Sequence, residues 1–185
     1  MTDSIDPDTV TLAQRGDAQA LGRLYDQHHA ALFRYIWARV GEKQLAEDLT
    51  GDVFMRMLAA LPRYRPGDVP FRAWLYRIAR NLLVDHYRKA QARPAEPLQD
   101  SHERLESGDD PGSAVEQKLS AERLQQVLAL LDEAQREVLS LRFLAGLSLQ
   151  ETAAALKKSE AAVKALQHRG LGALRLVLSE GKGTP

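Results

Sequence analysis

Between Arg72 and Arg93 the chain carries five arginines and one lysine against a single acid, Asp85. Interleaved with them are the rings of Trp74, Tyr76 and Tyr87 and the amide of Asn81. Guanidinium groups neutralise phosphates, and rings and guanidinium planes stack on unpaired bases, so this mixture suits nucleic acid. A solvated basic face over an ordinary helical core would carry the same charges. Catalytic chemistry is poorly supplied by comparison. The chain has no cysteine, which removes disulfides, thiolate zinc sites and cysteine nucleophiles. His29 follows Asp26 by three residues, a helical spacing that a metal could use. There is, however, no Glu-x-x-His pair of the kind a carboxylate-bridged di-iron bundle needs. His28 and His29 therefore read as ordinary helix residues. Glu47, Asp48 and Asp52 read as a solvated or partner-facing group rather than an acid–base pair. No catalytic residue, metal or cofactor is expected, and the enzyme reading is rejected.

The basic stretch must be held by a helix. On a 3.6-residue period Phe71, Trp74, Leu75, Ile78 and Leu82 share one arc that can face a core. Arg72, Tyr76, Arg77, Arg80, Asn81, Tyr87 and Arg88 collect on the other side, and Pro70 sits at the start, where a helix tolerates it. Upstream, residues 1–8 read as a frayed tail and helix begins near Thr9, with an interruption at Gly16-Asp17. Leu21 to Val40 continues it to a C-cap at Gly41. A third helix is predicted from Gln44 to Leu61, seamed by Leu45, Leu49, Val53, Met57 and Leu61 and ended by Pro62. The 62–70 stretch holds three prolines and a glycine and reads as an ordered loop.

The character then changes. Residues 91–113 contain Pro94, Pro97, Gly108, Pro111 and Gly112 and no apolar periodicity, and Pro97 to Ser120 carries six acids against two bases. That is linker composition, and it leaves the flanking units free to move relative to each other unless a partner bridges them. Helical pattern resumes near residue 114. Asp132 to Leu144 reads as one helix, with Val138, Leu139, Leu141 and Phe143 apolar and Gly146 stopping it. Ser148 and Glu151 form a capping box for a short, alanine-rich helix that ends at Leu156. After the Lys157-Lys-Ser159 turn, Ser159 caps a longer helix whose buried stripe is Val163, Leu166, Gly170, Leu174 and Val177. Ala161, Lys164, Ala165, His168 and Arg175 point the other way. This is the pattern of a helix-turn-helix, although any helical hairpin shares much of it. The expected fold is all-α: a helical domain at 1–90, a flexible linker at 91–113, and a helix-turn-helix domain at 114–185.

The bulk properties agree with a cytoplasmic chain. Of 185 residues 44% are hydrophobic and 27% charged, enough for real cores. No apolar run approaches membrane-spanning length, and the acidic start, Met-Thr-Asp-Ser-Ile-Asp-Pro-Asp, lacks the basic region of a signal peptide. Formal net charge is zero, which argues against one uniformly basic surface.

Three segments, in order, carry a family resemblance. Leu45-Ala-Glu-Asp-Leu-Thr-Gly-Asp-Val-Phe54 resembles a docking helix of the form Ala-Glu-Asp-Leu-x-Gln-Glu-x-Phe. Phe71-Arg-Ala-Trp-Leu-Tyr-Arg-Ile-Ala-Arg-Asn81 resembles a promoter-melting helix. Leu147-Ser-Leu-Gln-Glu-Thr-Ala-Ala-Ala-Leu156 with Val163-Lys-Ala-Leu-Gln-His-Arg169 resembles a helix-turn-helix that reads the minus-thirty-five element. Together, from about Leu12 to Leu178, they resemble bacterial RNA polymerase sigma factors of the extracytoplasmic-function type. The resemblance implies polymerase binding through Glu47, Asp48, Asp52 and Phe54. It implies minus-ten recognition and melting through Arg72, Tyr76, Arg77, Arg80, Asn81 and Arg88. Minus-thirty-five reading falls to Ser159, Glu160, Lys164, His168 and Arg169. Core RNA polymerase, promoter DNA and a regulating anti-sigma factor are the implied partners. An ordinary helix-turn-helix regulator acting without polymerase is the alternative, and it leaves the docking and melting helices unexplained. Two departures stand out. Gly51 and Asp52 replace the usual Gln-Glu, and Gly170-Leu-Gly172 replaces basic residues that often follow the recognition helix, which weakens the expected phosphate grip there.

Overall fold

Asp17 shows how closely local chemistry sets the element boundaries. Its carboxylate accepts from the Ala20 amide at 2.7 Å, so α1 (Pro7–Gln14) stops and α2 (Ala18–Val40) starts where the Gly16-Asp17 break is expected. The structure is a computed structural model and describes residues 7–92 and 124–180. α1 begins inside the expected tail, with Pro7 in the first turn, where its missing N–H costs nothing. α2 ends on Gly41 in the left-handed conformation, in line with the expected C-cap. α3 (Lys43–Ala60) buries Leu49, Val53 and Met57 of the predicted seam and passes into a tight turn, Leu61–Arg63. The Gln14 side chain donates to the Leu61 and Tyr64 carbonyls at 3.0 and 2.6 Å and ties α1 to that turn. The loop before α4 is ordered around Tyr64, whose hydroxyl donates to the Val69 carbonyl at 2.7 Å and whose ring lies 4.8 Å from that of Trp74.

α4 (Phe71–Ala92) carries the basic stretch and runs two residues into the expected linker. The rest of the linker, and the expected resumption of helix at 114, lie outside the described residues. α5 is helical over 124–129. α6 (Glu133–Leu139) is capped by the Asp132 carboxylate on the Gln135 amide at 2.8 Å. The single helix expected to Leu144 instead widens into a π-type turn, Ser140–Leu144. Phe143, one of the apolar residues read in that helix, lies within the wider turn and is 58% exposed. α7 (Leu149–Leu156) has the complete capping box: the Ser148 amide donates to Glu151 at 2.7 Å, and the Glu151 amide donates to the Ser148 hydroxyl at 3.1 Å. α8 (Glu160–Glu180) is capped by the Ser159 hydroxyl, which accepts from the Ala162 amide at 3.2 Å.

Gly170, expected in the buried stripe of α8, is buried. A Cβ there would sit 3.0 Å from Leu139 Cδ1 and 3.4 Å from Gln135 Cβ, so the glycine is a point of close approach between α8 and α6. No strand occurs among the described residues, in keeping with the all-α expectation.

The two helical units do not sit apart. Leu141, Ala145, Leu147 and Ala155 of the second join the same apolar core as Leu24, Leu32, Ile36, Leu75 and Leu83 of the first. In this arrangement the two units are closed on each other. Apolar surface left on both units is buried by bringing them together.

Candidate nucleic-acid interface and docking face

α4 is enclosed on more of its circumference than a single apolar arc predicts. Phe71, Leu75 and Leu82 are buried as expected, while Trp74 and Ile78 are half-buried. Ala73, Tyr76, Ala79 and Leu83 are buried as well. Tyr76 corrects the sequence reading. Expected on the open face, it is 1% exposed, edge-on to Tyr35 at 5.3 Å between ring centroids. Its hydroxyl finds no hydrogen-bond partner among the described residues. Burial pushes its ionisation well above the ordinary tyrosine range, against a smaller opposing pull from Arg72.

The arginines of this face meet the second unit. Arg72 donates to the Ala145 and Gly146 carbonyls at 2.9 and 3.0 Å and pairs with Glu151 at 3.5 Å. Gly146 is left-handed at φ 68°, which turns the chain so that these two carbonyls lie within reach of one guanidinium. Arg77 donates to the Ala154 carbonyl at 3.0 Å, in the last turn of α7, where helix carbonyls lack internal partners and attract cations. Arg80 lies 4.0 Å from Glu137. Asn81 is exposed, and Arg88 is exposed with Asp85 as its partner at 3.2 Å. A cleft of about 230 Å³ between α4 and the end of α7 is lined by Arg77, Arg80, Asn81, Ala155, Leu156 and Lys157.

Glu137 belongs to no motif in the sequence. It lies on α6 with a side chain only 8% exposed, accepting from the Tyr35 hydroxyl at 2.6 Å and pairing with Arg39 at 3.1 Å. Arg39 also pairs with Glu133. Burial, with the Glu137 carboxylate next in weight, holds Tyr35 firmly protonated. No local pattern marks this cluster, since its members are about 100 residues apart in the chain.

In the helix-turn-helix, Lys157 closes the turn in the left-handed conformation and the Lys158 amide donates to the Ala153 carbonyl at 3.0 Å. Glu160, Ala161, Lys164, Ala165, His168, Arg169 and Arg175 are exposed, while Val163, Leu166 and Gly170 are buried and Leu174 half-buried. The outward face is thus the one expected; the side chain of Val177 lies outside the described set.

On α3, Glu47, Asp48 and Asp52 are exposed together. Met55, 66% exposed, and Leu58 continue the same helical face, an apolar extension that the acidic motif alone does not announce. Gly51 has open space around it. Phe54 corrects the other reading: it is buried, its ring 4.7 Å from Tyr25, and so supports the α2–α3 contact from inside. No group of three or more His, Asp or Glu side chains that could hold a metal occurs among the described residues, and no described helix is long and apolar enough to cross a membrane.

Two packed helical units, the second with a capped helix-turn-helix and an open polar face on α8, define a two-domain protein of the helix-turn-helix class. The family comparisons are specific. Residues 24–93 match Sigma-70 region 2 and residues 127–176 match Sigma-70, region 4. The chain is 39% identical over 171 residues to the ECF RNA polymerase sigma factor BldN of Streptomyces coelicolor, covering 92% of this chain and 65% of that protein. It is 36% identical over 170 residues to the ECF RNA polymerase sigma factor SigD of Mycobacterium tuberculosis, covering 90% of this chain and 80% of that one. Among solved structures, CnrH in complex with the cytosolic domain of CnrY is similar at a TM-score of 0.73 and 28% identity, over 93% of this chain and 96% of CnrH. The chain belongs to the ECF RNA polymerase sigma factors.

Proposed function

We propose that this chain binds core RNA polymerase and gives it promoter specificity, acting in the cytoplasm, where the polymerase works, and transforming no substrate itself. The observation that carries the reading is the presence in one chain of three separate surfaces. These are an acidic and apolar face on α3, a cation-and-amide face on α4, and an open polar face on α8. A regulator working without polymerase has no use for the first two.

In this reading Glu47, Asp48 and Asp52, with Met55 and Leu58 beside them, meet a basic surface of the polymerase, and Phe54 supports that helix from within. α8 enters a duplex major groove. There Glu160 can accept from cytosine and Lys164 can donate to guanine, with His168, Arg169 and Ser159 at the edges. α4 holds the melted strand. Opening a duplex costs about 1.4 kcal/mol per stacked step, and stacking an unpaired base on a protein surface returns about 1–3 kcal/mol. Arg72, Arg77, Arg80, Asn81 and Arg88 are the groups for that task once α4 is accessible. A protein partner of the kind CnrY is to CnrH would act as an anti-sigma factor by holding these surfaces covered.

The test is transcription by core polymerase with and without the chain on a panel of promoters varied in the minus-thirty-five element. Glu160→Ala or Lys164→Ala should shift preference at one or two positions, by about 1–3 kcal/mol per lost bidentate contact. Uniform weakening across the panel would make these phosphate contacts instead.

A further inference from the structure

We infer that the cleft between α4 and the end of α7 is a site for a small phosphorylated anion, completed by Lys157 from the turn of the helix-turn-helix. α4 lines it with Arg77, Arg80 and Asn81, and α7 and its turn with Ala155, Leu156 and Lys157. Three cations thus line one opening in a chain whose formal net charge is zero. Acids offset them little. Glu137 stands 4.0 Å from Arg80, and among the described residues no carboxylate pairs with Arg77 or Lys157. Cations of one sign in a walled cleft focus the field and concentrate anions there.

Lys157 supplies an independent argument. Among the described residues it is the only one other than glycine with a positive φ, at 53°. A helix end of this shape ordinarily takes Gly or Asn, because a side chain is crowded in the left-handed conformation. The turn itself asks for no lysine: it is closed by backbone, the Lys157 amide on the Ala154 carbonyl and the Lys158 amide on that of Ala153. A cation also suits the carbonyl end of a helix, but Arg77 already donates to the Ala154 carbonyl at 3.0 Å. What a lysine adds at this strained position is a charge in the cleft, and strain of this kind collects where a ligand is held.

The groups select the ligand class. Arg77 and Arg80 are about one helical turn apart, and planar guanidinium groups match phosphoryl oxygens; Lys157 adds a point charge and Asn81 an amide donor. Three cations against one marginal acid suit an anion of more than one charge, which a phosphoryl group carries and a single carboxylate does not. The volume of about 230 Å³ falls below the roughly 300–1,000 Å³ of sites for drug-sized ligands, so the occupant is small. Arg77, Arg80 and Asn81 also belong to the strand-capturing face, so the anion competes with DNA. That competition rests on the reading of α4 given above; the site itself does not.

The test uses the full chain, with pyrophosphate as the probe. Calorimetric titration at constant ionic strength should show saturable binding at one site. Lys157→Gly, which adopts the left-handed conformation freely, should keep the thermal stability and lower pyrophosphate affinity by about tenfold or more, as loss of one charged contact implies. Lys157→Asn, also tolerant of this conformation, should do the same. No saturable binding, or unchanged affinity in both variants, overturns the site and leaves Lys157 a charge at the end of α7. In a second arm, pyrophosphate should weaken the binding of a single-stranded oligonucleotide to the wild type but not to Lys157→Gly, and without pyrophosphate the two should bind it equally. If Lys157→Gly loses as much affinity for the oligonucleotide as for pyrophosphate, the cleft holds a backbone phosphate of DNA, and the free-anion site is overturned. Pyrophosphate binding that depends on Lys157 yet leaves the oligonucleotide untouched upholds the site and overturns the assignment of α4 as the strand-capturing helix.

Discussion

Removing one oxygen atom, Tyr76→Phe, should stabilise this protein. The ring stays, still edge-on to Tyr35, so packing is preserved. What goes is a hydroxyl buried with no partner among the described residues. Leaving such a group unsatisfied costs about 1–3 kcal/mol, so the variant should unfold that much less readily. At roughly 2–4 °C per kcal/mol for a chain of this size, the melting temperature followed by circular dichroism should rise by a few degrees or more. A melting temperature equal to or below that of the wild type would refute the reasoning, because it would mean that the hydroxyl contributes a hydrogen bond.

Reversing Asp48 and Asp52 to Lys together should abolish co-elution with core polymerase and leave helicity intact, since both side chains are exposed; normal co-elution of that double variant would remove α3 as the docking helix. The two glycine departures should respond in opposite directions. Gly170→Ala should cost about 1–3 kcal/mol by pressing a methyl group into Leu139, whereas Gly51→Ala, with open space around it, should gain up to about 1 kcal/mol; denaturant melts that rank the pair the other way contradict the packing described. Tyr35, Tyr76 and Tyr87 are all held protonated in the fold, chiefly by burial. Their contribution is complete below the ordinary tyrosine value of about 10 and is lost as pH rises past it, because the unfolded chain then releases protons that the fold retains. Stability measured at pH 8 and 11 should fall between the two, and a flat profile would contradict the assignment.

Much of the fold is legible in the sequence because its causes are local. The Asp17 break, the Ser148–Glu151 capping box, the Ser159 cap and the buried stripe of α8 each depend on residues within one or two turns of each other. The closure of the two units is not legible that way. Arg72 and Arg77 find carbonyls more than 70 residues distant, and a backbone carbonyl leaves no trace in side-chain pattern. A single 3.6-residue stripe allows a helix one buried face, and α4 has two, which is why the pattern misplaces Tyr76. The π-type turn at Ser140–Leu144 leaves no mark in the apolar pattern that reads as one helix to Leu144. Gly170 is legible as part of the buried stripe of α8, but not its close approach to Leu139, which lies on another helix.

Capture of the melted strand by α4 is the central claim, and Asn81→Ala tests it most directly. Asn81 is exposed and uncharged, so its loss should leave stability within about 0.5 kcal/mol and the salt dependence of binding unchanged. The measurement is transcription by mutant holoenzyme on two templates, a closed duplex and one already unpaired at the minus-ten element. A defect on the duplex that the unpaired template at least partly rescues is the predicted result, because the cost of opening has then been removed. Equal activity of mutant and wild type on the closed duplex would contradict it.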